Sequence, residues 1–198
     1  MAISRRDVLI GSAGAVGAAT FSFPKPAIAQ VEPIKIGFLA AMTGPSSAPT
    51  IGFNRGVIFA VDAINAAGGV KGRKIEVITR DTQGDPTKAV NATQELISQV
   101  KVHAMWGPLN SGEALAVTPI MARAKMPDIH PCVVESLIDT KKFPNAFRMA
   151  PSIGQWDDAA RNYCLNILKV KKVAVIGDTT GYGVTALGAS VEIGRAHV

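Results

Sequence analysis

Short apolar runs alternate with segments of helical periodicity along most of this 198-residue chain. The apolar runs are typical of buried strands, and the segments between them carry apolar residues at the spacing of an amphipathic helix. Strands joined by helical crossovers form a parallel sheet with helices on both faces. The sequence therefore predicts an α/β fold built on a doubly wound parallel sheet. The predicted strands are residues 34–40, 73–80, 102–106, 128–132 and 172–177.

Turn and cap residues mark the ends of the predicted elements. Asp85-Pro86 places a carboxylate at the N-cap and a proline at the first position of a helix. Ser111 is expected to cap a helix that runs through Ala124. In doubly wound sheets, ligands bind beyond the carboxyl ends of the strands. The loops at those ends are rich in Gly, Pro, Ser, Thr and Asn, which indicates a polar ligand. These loops are residues 42–52, 81–85, 107–111, 131–137 and 178–183.

Residues 1–29 have the three parts of a secretory signal. Arg5 and Arg6 supply positive charge, an uncharged apolar run follows over residues 10–23, and the segment ends in Ala27-Ile28-Ala29. The paired arginines resemble the twin-arginine export signal, although general export stays an alternative. We therefore expect cleavage after Ala29, a periplasmic location, and a folded domain that begins after this segment.

Charge and cysteine content limit the possible partners. The formal net charge is +6, and removal of residues 1–29 lowers it because that segment is itself basic. The remaining Lys and Arg residues are scattered in short groups with few aromatic residues among them, which argues against nucleic-acid binding. Cys132 and Cys164 can pair in an oxidising compartment, but two free buried thiols are the favoured interpretation.

The sequence lacks the motifs of common catalytic and cofactor sites. Residues 37–42, which follow the first predicted strand, do not form a dinucleotide fingerprint, and no Gly-Lys-Ser/Thr phosphate loop occurs. His103, His130 and His197 have no second His or Cys at ligand spacing. His103 and His130 are interpreted as core or rim histidines. We therefore expect no enzyme activity, no catalytic residue, no bound metal and no cofactor.

Several motifs occur in a specific order along the chain. Residues 63–75, which contain Asn-Ala-Ala-Gly-Gly-Val-Lys-Gly-Arg, are followed by Asp-Thr-Gln-Gly-Asp-Pro at residues 81–86, by Gly107-Pro108, and by a Gly-Tyr-Gly segment at residues 181–183. In this order they resemble the type I periplasmic binding proteins of the leucine/isoleucine/valine-binding family. The resemblance implies the substrate-binding component of an ABC transporter, a two-lobed clamp that closes on a small ligand without performing chemistry on it.

The resemblance also implies how the chain is divided. Residues 30–150 correspond to the first ligand-binding lobe and residues 151–191 to the start of the second, so we expect the chain to be the N-terminal fragment of a longer protein. Residues 192–198 are expected to be a non-native tail, because they can be encoded by DNA that resembles a short-read sequencing adapter. The full-length protein is expected to be a monomer that delivers its ligand to a membrane permease.

The resemblance further implies which residues bind the ligand. In the family, a serine just after the Gly-Pro turn holds the ligand carboxylate, and the loop after the fourth strand also contacts the ligand. A threonine that is usual in branched-chain binders falls on Val134, which places branched-chain specificity in doubt. A tyrosine of the second lobe is matched by Tyr182. The implied ligand-binding residues are Asn110, Ser111, Cys132, Val133, Val134 and Tyr182.

The identity of the ligand stays open. The candidates are a branched-chain amino acid, another amino acid, a short amide or urea, and an aromatic acid. A ligand-sensing receptor or regulator module of the same fold is an alternative function. An exported enzyme on a flavodoxin-like sheet is a second alternative, but it requires a nucleophile or a metal set that the sequence does not show.

Overall fold

The computed structural model describes the backbone of residues 31–195 and the side chains of residues 31–191. The predicted export segment, with its cleavage site after Ala29, lies outside the described residues. Residues 196–198 of the predicted tail also lie outside them. The last helix ends at Arg195, so the described backbone extends into the first residues of that tail.

Five strands lie within the described residues: β1 (Ile34–Ala40), β2 (Ile75–Asp81), β3 (Ala104–Trp106), β4 (Asp128–His130) and β5 (Ala146–Arg148). They form one sheet with the spatial order β2-β1-β3-β4-β5, and every neighbouring pair is parallel. β1 has β2 on one side and β3 on the other, so the direction of winding reverses between β1 and β3. The predicted doubly wound parallel sheet is confirmed.

The helices of the described region are α1 (Ser47–Ala66), α2 (Pro86–Glu95), α3 (Ser111–Arg123), α4 (Ile153–Asn162) and α5 (Gly181–Arg195). α2 and α4 each continue into a π-helical turn, and a short 3₁₀ helix precedes β5. Of the helices in this part of the chain, none is both long enough and apolar enough to cross a membrane.

At the starts of α2 and α4, side chains satisfy the first free N–H groups of the helix. The Asp85 carboxylate accepts hydrogen bonds from the backbone N–H groups of Thr87 (2.7 Å) and Lys88 (2.9 Å), and proline follows at the first helical position. The predicted start of α2 is therefore confirmed. At α4, Ser152 and Gln155 form a reciprocal capping box with bonds of 3.2 Å and 2.8 Å.

α1 begins earlier than the sequence predicts. A loop is expected over residues 42–52, but the helix starts at Ser47. Pro49 lies in its first turn, where the backbone N–H groups have no partner within the helix, so the missing N–H of proline removes no helical hydrogen bond. The prediction of a loop through residue 52 is therefore wrong, because proline is compatible with the first turn of a helix.

Residues 172–177, which are predicted to form a strand, do not form one in the structure. Their apolar side chains are exposed, with 62% of Val173 and 96% of Ile176 accessible to solvent. A strand requires a neighbouring strand to satisfy its N–H and C=O groups, and none of the strands between residues 31 and 195 pairs with this segment. An apolar run without a pairing partner therefore stays irregular.

The hydrophobic core lies between the sheet and helices α2 and α3. Leu39 and Met105 from the sheet pack there against Leu96, Val117 and Met121. The opposite face of the sheet is covered less closely, because an apolar groove of about 780 Å³ separates it from α1. Residues that line this groove include Ile36, Phe53, Val57, Trp106, Ile129 and Met149.

Candidate ligand-binding site

The carboxyl edge of the sheet brings four loops together. The loops after β1 and β3 lie side by side at the point where the winding direction reverses, which is where open α/β sheets bind their ligands. The loops after β2 and β4 flank them. This edge is the candidate site because its loops connect to helix N-termini, which carry free N–H groups and partial positive charge.

Asp81, at the end of β2, links the loop after β1 to the loop after β2 through hydrogen bonds. Its carboxylate accepts hydrogen bonds from the N–H groups of Met42 (2.9 Å) and Gln83 (3.0 Å) and from the hydroxyl group of Thr43 (2.7 Å). Desolvation raises the pKa of Asp81, but these hydrogen bonds outweigh it and hold the pKa below its ordinary value. Gly44 completes the contact, since its φ is 84° and an added Cβ would lie 2.9 Å from the Gln83 carbonyl oxygen.

The loop after β3 approaches the end of β1 at Gly107. The φ of this residue is 81°, and a Cβ there would lie 2.5 Å from the carbonyl oxygen of Leu39. The following peptide bond, to Pro108, is cis. Only glycine permits this close backbone approach, which places the N-terminus of α3 beside the end of β1.

Asn110, and not Ser111, is the N-cap of α3. The Asn110 side-chain oxygen accepts a hydrogen bond from the N–H of Gly112 (2.8 Å), and Ser111 is the first helical residue. The predicted cap is therefore wrong by one residue, because an asparagine oxygen satisfies the same free N–H groups as a serine hydroxyl. Ser111 is buried, with 1% of its surface exposed.

Cys132 joins the loop after β4 to the start of α3. Its thiol donates to the carbonyl oxygens of Pro108 (3.1 Å) and Leu109 (3.3 Å). Burial raises the pKa of the Cys132 thiol far above its ordinary value, and Asp128 adds to the rise, whereas a hydrogen bond with the Ser111 hydroxyl acts in the opposite direction. Cys132 is therefore a protonated, buried thiol. Both cysteines are free, as predicted, although Cys164 is only half-buried.

Val133 and Val134 form an apolar wall next to this contact. Both side chains are buried, at 5% and 8% exposure. The Val133 carbonyl accepts hydrogen bonds from the N–H of Ile153 (3.0 Å) and from the guanidinium of Arg148 (3.3 Å). This carbonyl is thus already paired within the protein. Val133 and Val134 therefore offer the candidate site an apolar surface and few polar contacts.

Tyr182 approaches the same region from α5. A Cβ on the preceding residue, Gly181, would lie 2.6 Å from Cα of Gly112, so the N-termini of α3 and α5 are in close contact. Tyr182 lies in the first turn of α5 and is 37% exposed. The structure thus brings Ser111 into contact with Cys132, beside the N-cap Asn110, and it places Gly181, the neighbour of Tyr182, against Gly112.

Glu113 is a buried carboxylate that the sequence analysis did not identify. It lies two residues after Ser111 in the first turn of α3, is 1% exposed, and neither carboxylate oxygen has a hydrogen bond. Its pKa is raised to about 6, chiefly by desolvation; Asp85 and Asp81 also raise the pKa, whereas the Thr82 side chain and the N–H of Asn110 lower it. The Asn-x-x-Glu spacing is a capping-box pattern that could have drawn attention to it.

Asp128 and His130 are two further buried polar residues below the site. Burial raises the pKa of Asp128 to about 7, opposed by the Thr118 hydroxyl, which lies 3.4 Å away. The pKa of His130 is lowered to about 4, chiefly by burial and in smaller part by the charge of Arg148. His130 is therefore neutral near pH 7, and its Nδ1 accepts the N–H of Cys132 (3.2 Å).

Two of the three histidines, His103 and His130, lie within the described residues. His103 Nδ1 accepts a hydrogen bond from the N–H of Lys35 (3.0 Å), and His130 is a core residue, as expected. His197 lies outside the described residues. In the described part of the chain, no group of three or more His, Cys, Asp or Glu residues is arranged to hold a metal ion.

The parallel sheet, with polar loops and helix N-termini gathered at its switch point, defines an α/β ligand-binding protein. A sequence model described as "Periplasmic binding protein" matches residues 33–196. The chain therefore belongs to the periplasmic binding protein family, and the resemblance seen in the sequence is confirmed.

Individual relatives narrow this assignment. The chain is 31% identical over 166 residues to Leu/Ile/Val-binding protein homolog 3 of Brucella melitensis. The aligned residues make up 84% of this chain and 44% of that protein. It is similar to the structure of the branched-chain amino acid transporter substrate-binding protein LivJ from Streptococcus pneumoniae in complex with isoleucine, with 31% identity, a TM-score of 0.74, and coverage of 81% and 46%.

A third relative was solved with a different kind of ligand. It is a solute-binding protein of an ABC transporter from R. palustris in complex with 4-hydroxybenzoate, with 29% identity, a TM-score of 0.67, and coverage of 84% of this chain and 44% of that one. The chain spans less than half the length of each of these three relatives.

Proposed function

We propose that this chain is part of a periplasmic substrate-binding protein that captures a small amino acid or a related amide for uptake by an ABC transporter. The observation that carries the proposal is the contact of Ser111 with Cys132, beside the N-cap Asn110, at the switch point of a periplasmic-binding-protein sheet. The relatives are binding proteins, which supports capture without chemistry on the ligand.

The start of α3 suits the carboxylate of a ligand. A helix N-terminus presents N–H groups and partial positive charge to an anion, and the Ser111 hydroxyl can donate a further hydrogen bond. Isoleucine and 4-hydroxybenzoate, the ligands named for two relatives, both carry a carboxylate. By the family resemblance, Val134 falls where the branched-chain binders have a threonine, so we do not carry their side-chain specificity over to this protein.

The arrangement of the whole protein is part of the proposal. We infer export to the periplasm through a twin-arginine-like signal cleaved after Ala29, a first lobe over residues 30–150 and the start of a second lobe over residues 151–191. The full-length protein would act as a monomer and would deliver its ligand to the membrane permease of the transporter. Two relatives are named as transporter components, which favours uptake over the alternative of a sensing module.

Binding measurements on a matched pair of serine variants test the proposal. The mature protein from the complete source gene would be titrated calorimetrically with leucine, isoleucine, acetamide, urea and 4-hydroxybenzoate. Loss of a hydrogen bond to a charged group costs about 1.5 to 3 kcal/mol, so Ser111→Ala is expected to weaken carboxylate binding about tenfold to a hundredfold.

Ser98→Ala is the control, because Ser98 is exposed and its hydroxyl donates to the Gln94 carbonyl (2.6 Å), away from the site. It is expected to bind as the wild type does. The proposal fails if the wild type binds none of these compounds, or if Ser111→Ala binds as tightly as Ser98→Ala.

A further inference from the structure

We propose that a basic groove at the amino edge of the sheet docks the protein on the phosphate headgroups of an anionic membrane. The groove has a volume of about 580 Å³, and its charged lining residues are Arg123, Lys125, Lys141 and Lys142. It lies before β4 and β5, whereas the candidate ligand-binding site lies beyond the carboxyl ends of the strands. The inference therefore goes beyond the proposed function and concerns a different surface.

Folding brings together two groups of cations that are separate in the sequence. Arg123 is the last residue of α3 and Lys125 follows shortly after it, whereas Lys141 and Lys142 lie in the loop before β5. The parallel pairing of β4 with β5 holds the segments that precede these strands side by side. All four residues are exposed, so their charges are available to a partner.

The surroundings of the groove balance these charges only in part. None of the described residues that line it is acidic. The carboxylate of Asp139, beside it, accepts hydrogen bonds from the N–H groups of Lys141 (3.0 Å) and Lys142 (3.3 Å), and the Lys142 ammonium lies 3.6 Å away. The end of α3 contributes a partial negative charge of about half a unit. Set against Asp139 and this helix end, the four cations leave an excess of roughly two to three positive charges, which suits an anionic partner.

The arrangement of the cations favours an extended anionic surface over a small soluble anion. A site for a small ligand encloses most of it and directs a few polar groups at it. Here every cation is exposed, and the groove between them is lined by apolar side chains such as Pro119 and Phe143. Exposed Lys and Arg residues act together on a surface with many charges, and each strengthens binding to an anionic membrane about fivefold. The periplasm, in which this family works, is bounded by membranes. An anionic membrane is therefore the partner whose charge and extent fit this edge.

Sedimentation with lipid vesicles tests the inference. The mature protein from the complete source gene would be mixed with vesicles of phosphatidylcholine alone, or of phosphatidylcholine with the anionic lipid phosphatidylglycerol. We expect binding only to the vesicles that contain phosphatidylglycerol. This binding should weaken as the ionic strength is raised to about 0.15 M, where exposed charges more than about 8 Å apart are largely screened.

Two double variants with the same change in net charge assign the binding to the groove. Lys141→Gln with Lys142→Gln removes two of the four cations and is expected to weaken vesicle binding about 25-fold, at about fivefold per residue. Lys171→Gln with Lys172→Gln is the control, because these residues are also adjacent and exposed but do not line the groove. The control should bind the vesicles as the wild type does.

The outcomes separate docking at the groove from a general effect of charge. Equal losses in the two double variants would show that net charge alone attracts the protein, and would overturn the inference. A wild type that does not sediment with the anionic vesicles would also overturn it. So would displacement from the vesicles by soluble glycerol phosphate at an equal phosphate concentration, which indicates a site for a small anion. The double variant at Lys141 and Lys142 should still bind its solute in the calorimetric titration, so a failure of docking leaves the proposed function intact.

Discussion

Replacement of Gly107 by alanine is expected to destabilise the protein more than the same change at Gly72. The two residues have nearly identical φ values, 81° and 80°. A Cβ at Gly107 would lie 2.5 Å from the Leu39 carbonyl oxygen, whereas a Cβ at Gly72 meets no heavy atom within 4 Å. The two variants therefore share the same backbone strain and differ in steric overlap.

The magnitude follows from these two contributions. Left-handed backbone costs an alanine about 1 to 2 kcal/mol, which is the whole effect expected for Gly72→Ala. At Gly107 the overlap adds a cost of about 1 to 3 kcal/mol, typical of overpacking. Leu39 is fully buried in β1, which has a strand on each side, so its carbonyl cannot rotate away. We therefore expect Gly107→Ala to lower the free energy of unfolding by about 2 kcal/mol more than Gly72→Ala.

Urea titrations of the mature protein, followed by circular dichroism, measure this difference. The unfolding midpoint of Gly107→Ala should decrease well below that of Gly72→Ala at an unchanged slope. Equal losses of stability in the two variants would show that the backbone conformation alone, without the contact to Leu39, requires glycine here. The contact between the loop after β3 and β1 would then not be what requires glycine at position 107.

Two further predictions concern the buried acid and the apolar groove. The folded pKa of Asp128 is raised from 3.8 to about 7, so its contribution to stability is lost as the pH rises from about 4 to 7. Asp128→Asn should therefore stabilise the protein more, relative to wild type, at pH 8 than at pH 4. Urea titrations at both values test this, and an equal difference would contradict the burial of an ionisable carboxyl. The groove of about 780 Å³ between α1 and the sheet should bind the dye ANS when the 198-residue chain is produced alone. Val57→Asp, in the lining of the groove, should reduce dye fluorescence, whereas Ile58→Asp, an exposed neighbour outside it, should not; equal fluorescence would refute binding at this groove.

The elements that the sequence predicted correctly are those whose signals act over a few residues. Asp85 caps the N–H groups two and three positions ahead of it, so the start of α2 follows from adjacent residues. The first strand, residues 34–40, was predicted with its observed bounds because its apolar run ends at a turn. The same local reasoning was off by one residue at α3, where Asn110 and Ser111 both satisfy the requirements of a cap.

Features that depend on distant partners could not be predicted in this way. Residues 172–177 have the composition of a buried strand, but pairing depends on a neighbour that composition does not reveal. The six predicted site residues came from family resemblance, and topology then accounts for the contact of Ser111 with Cys132 across two loops. Glu113 was missed because its significance lies in burial without a hydrogen bond, and neither property can be recognised from a single glutamate in a helical turn.

The polar groups at the start of α3 decide how the proposed function would hold a ligand carboxylate. Cys132 already donates to the carbonyls of Pro108 and Leu109, and Val134 has no side-chain donor. Under the proposed function, a ligand carboxylate therefore depends on Ser111 and on helix N–H groups. Each hydrogen bond to a charged group contributes about 1.5 to 3 kcal/mol, so loss of the Ser111 hydroxyl is expected to remove a large part of the affinity for a carboxylate.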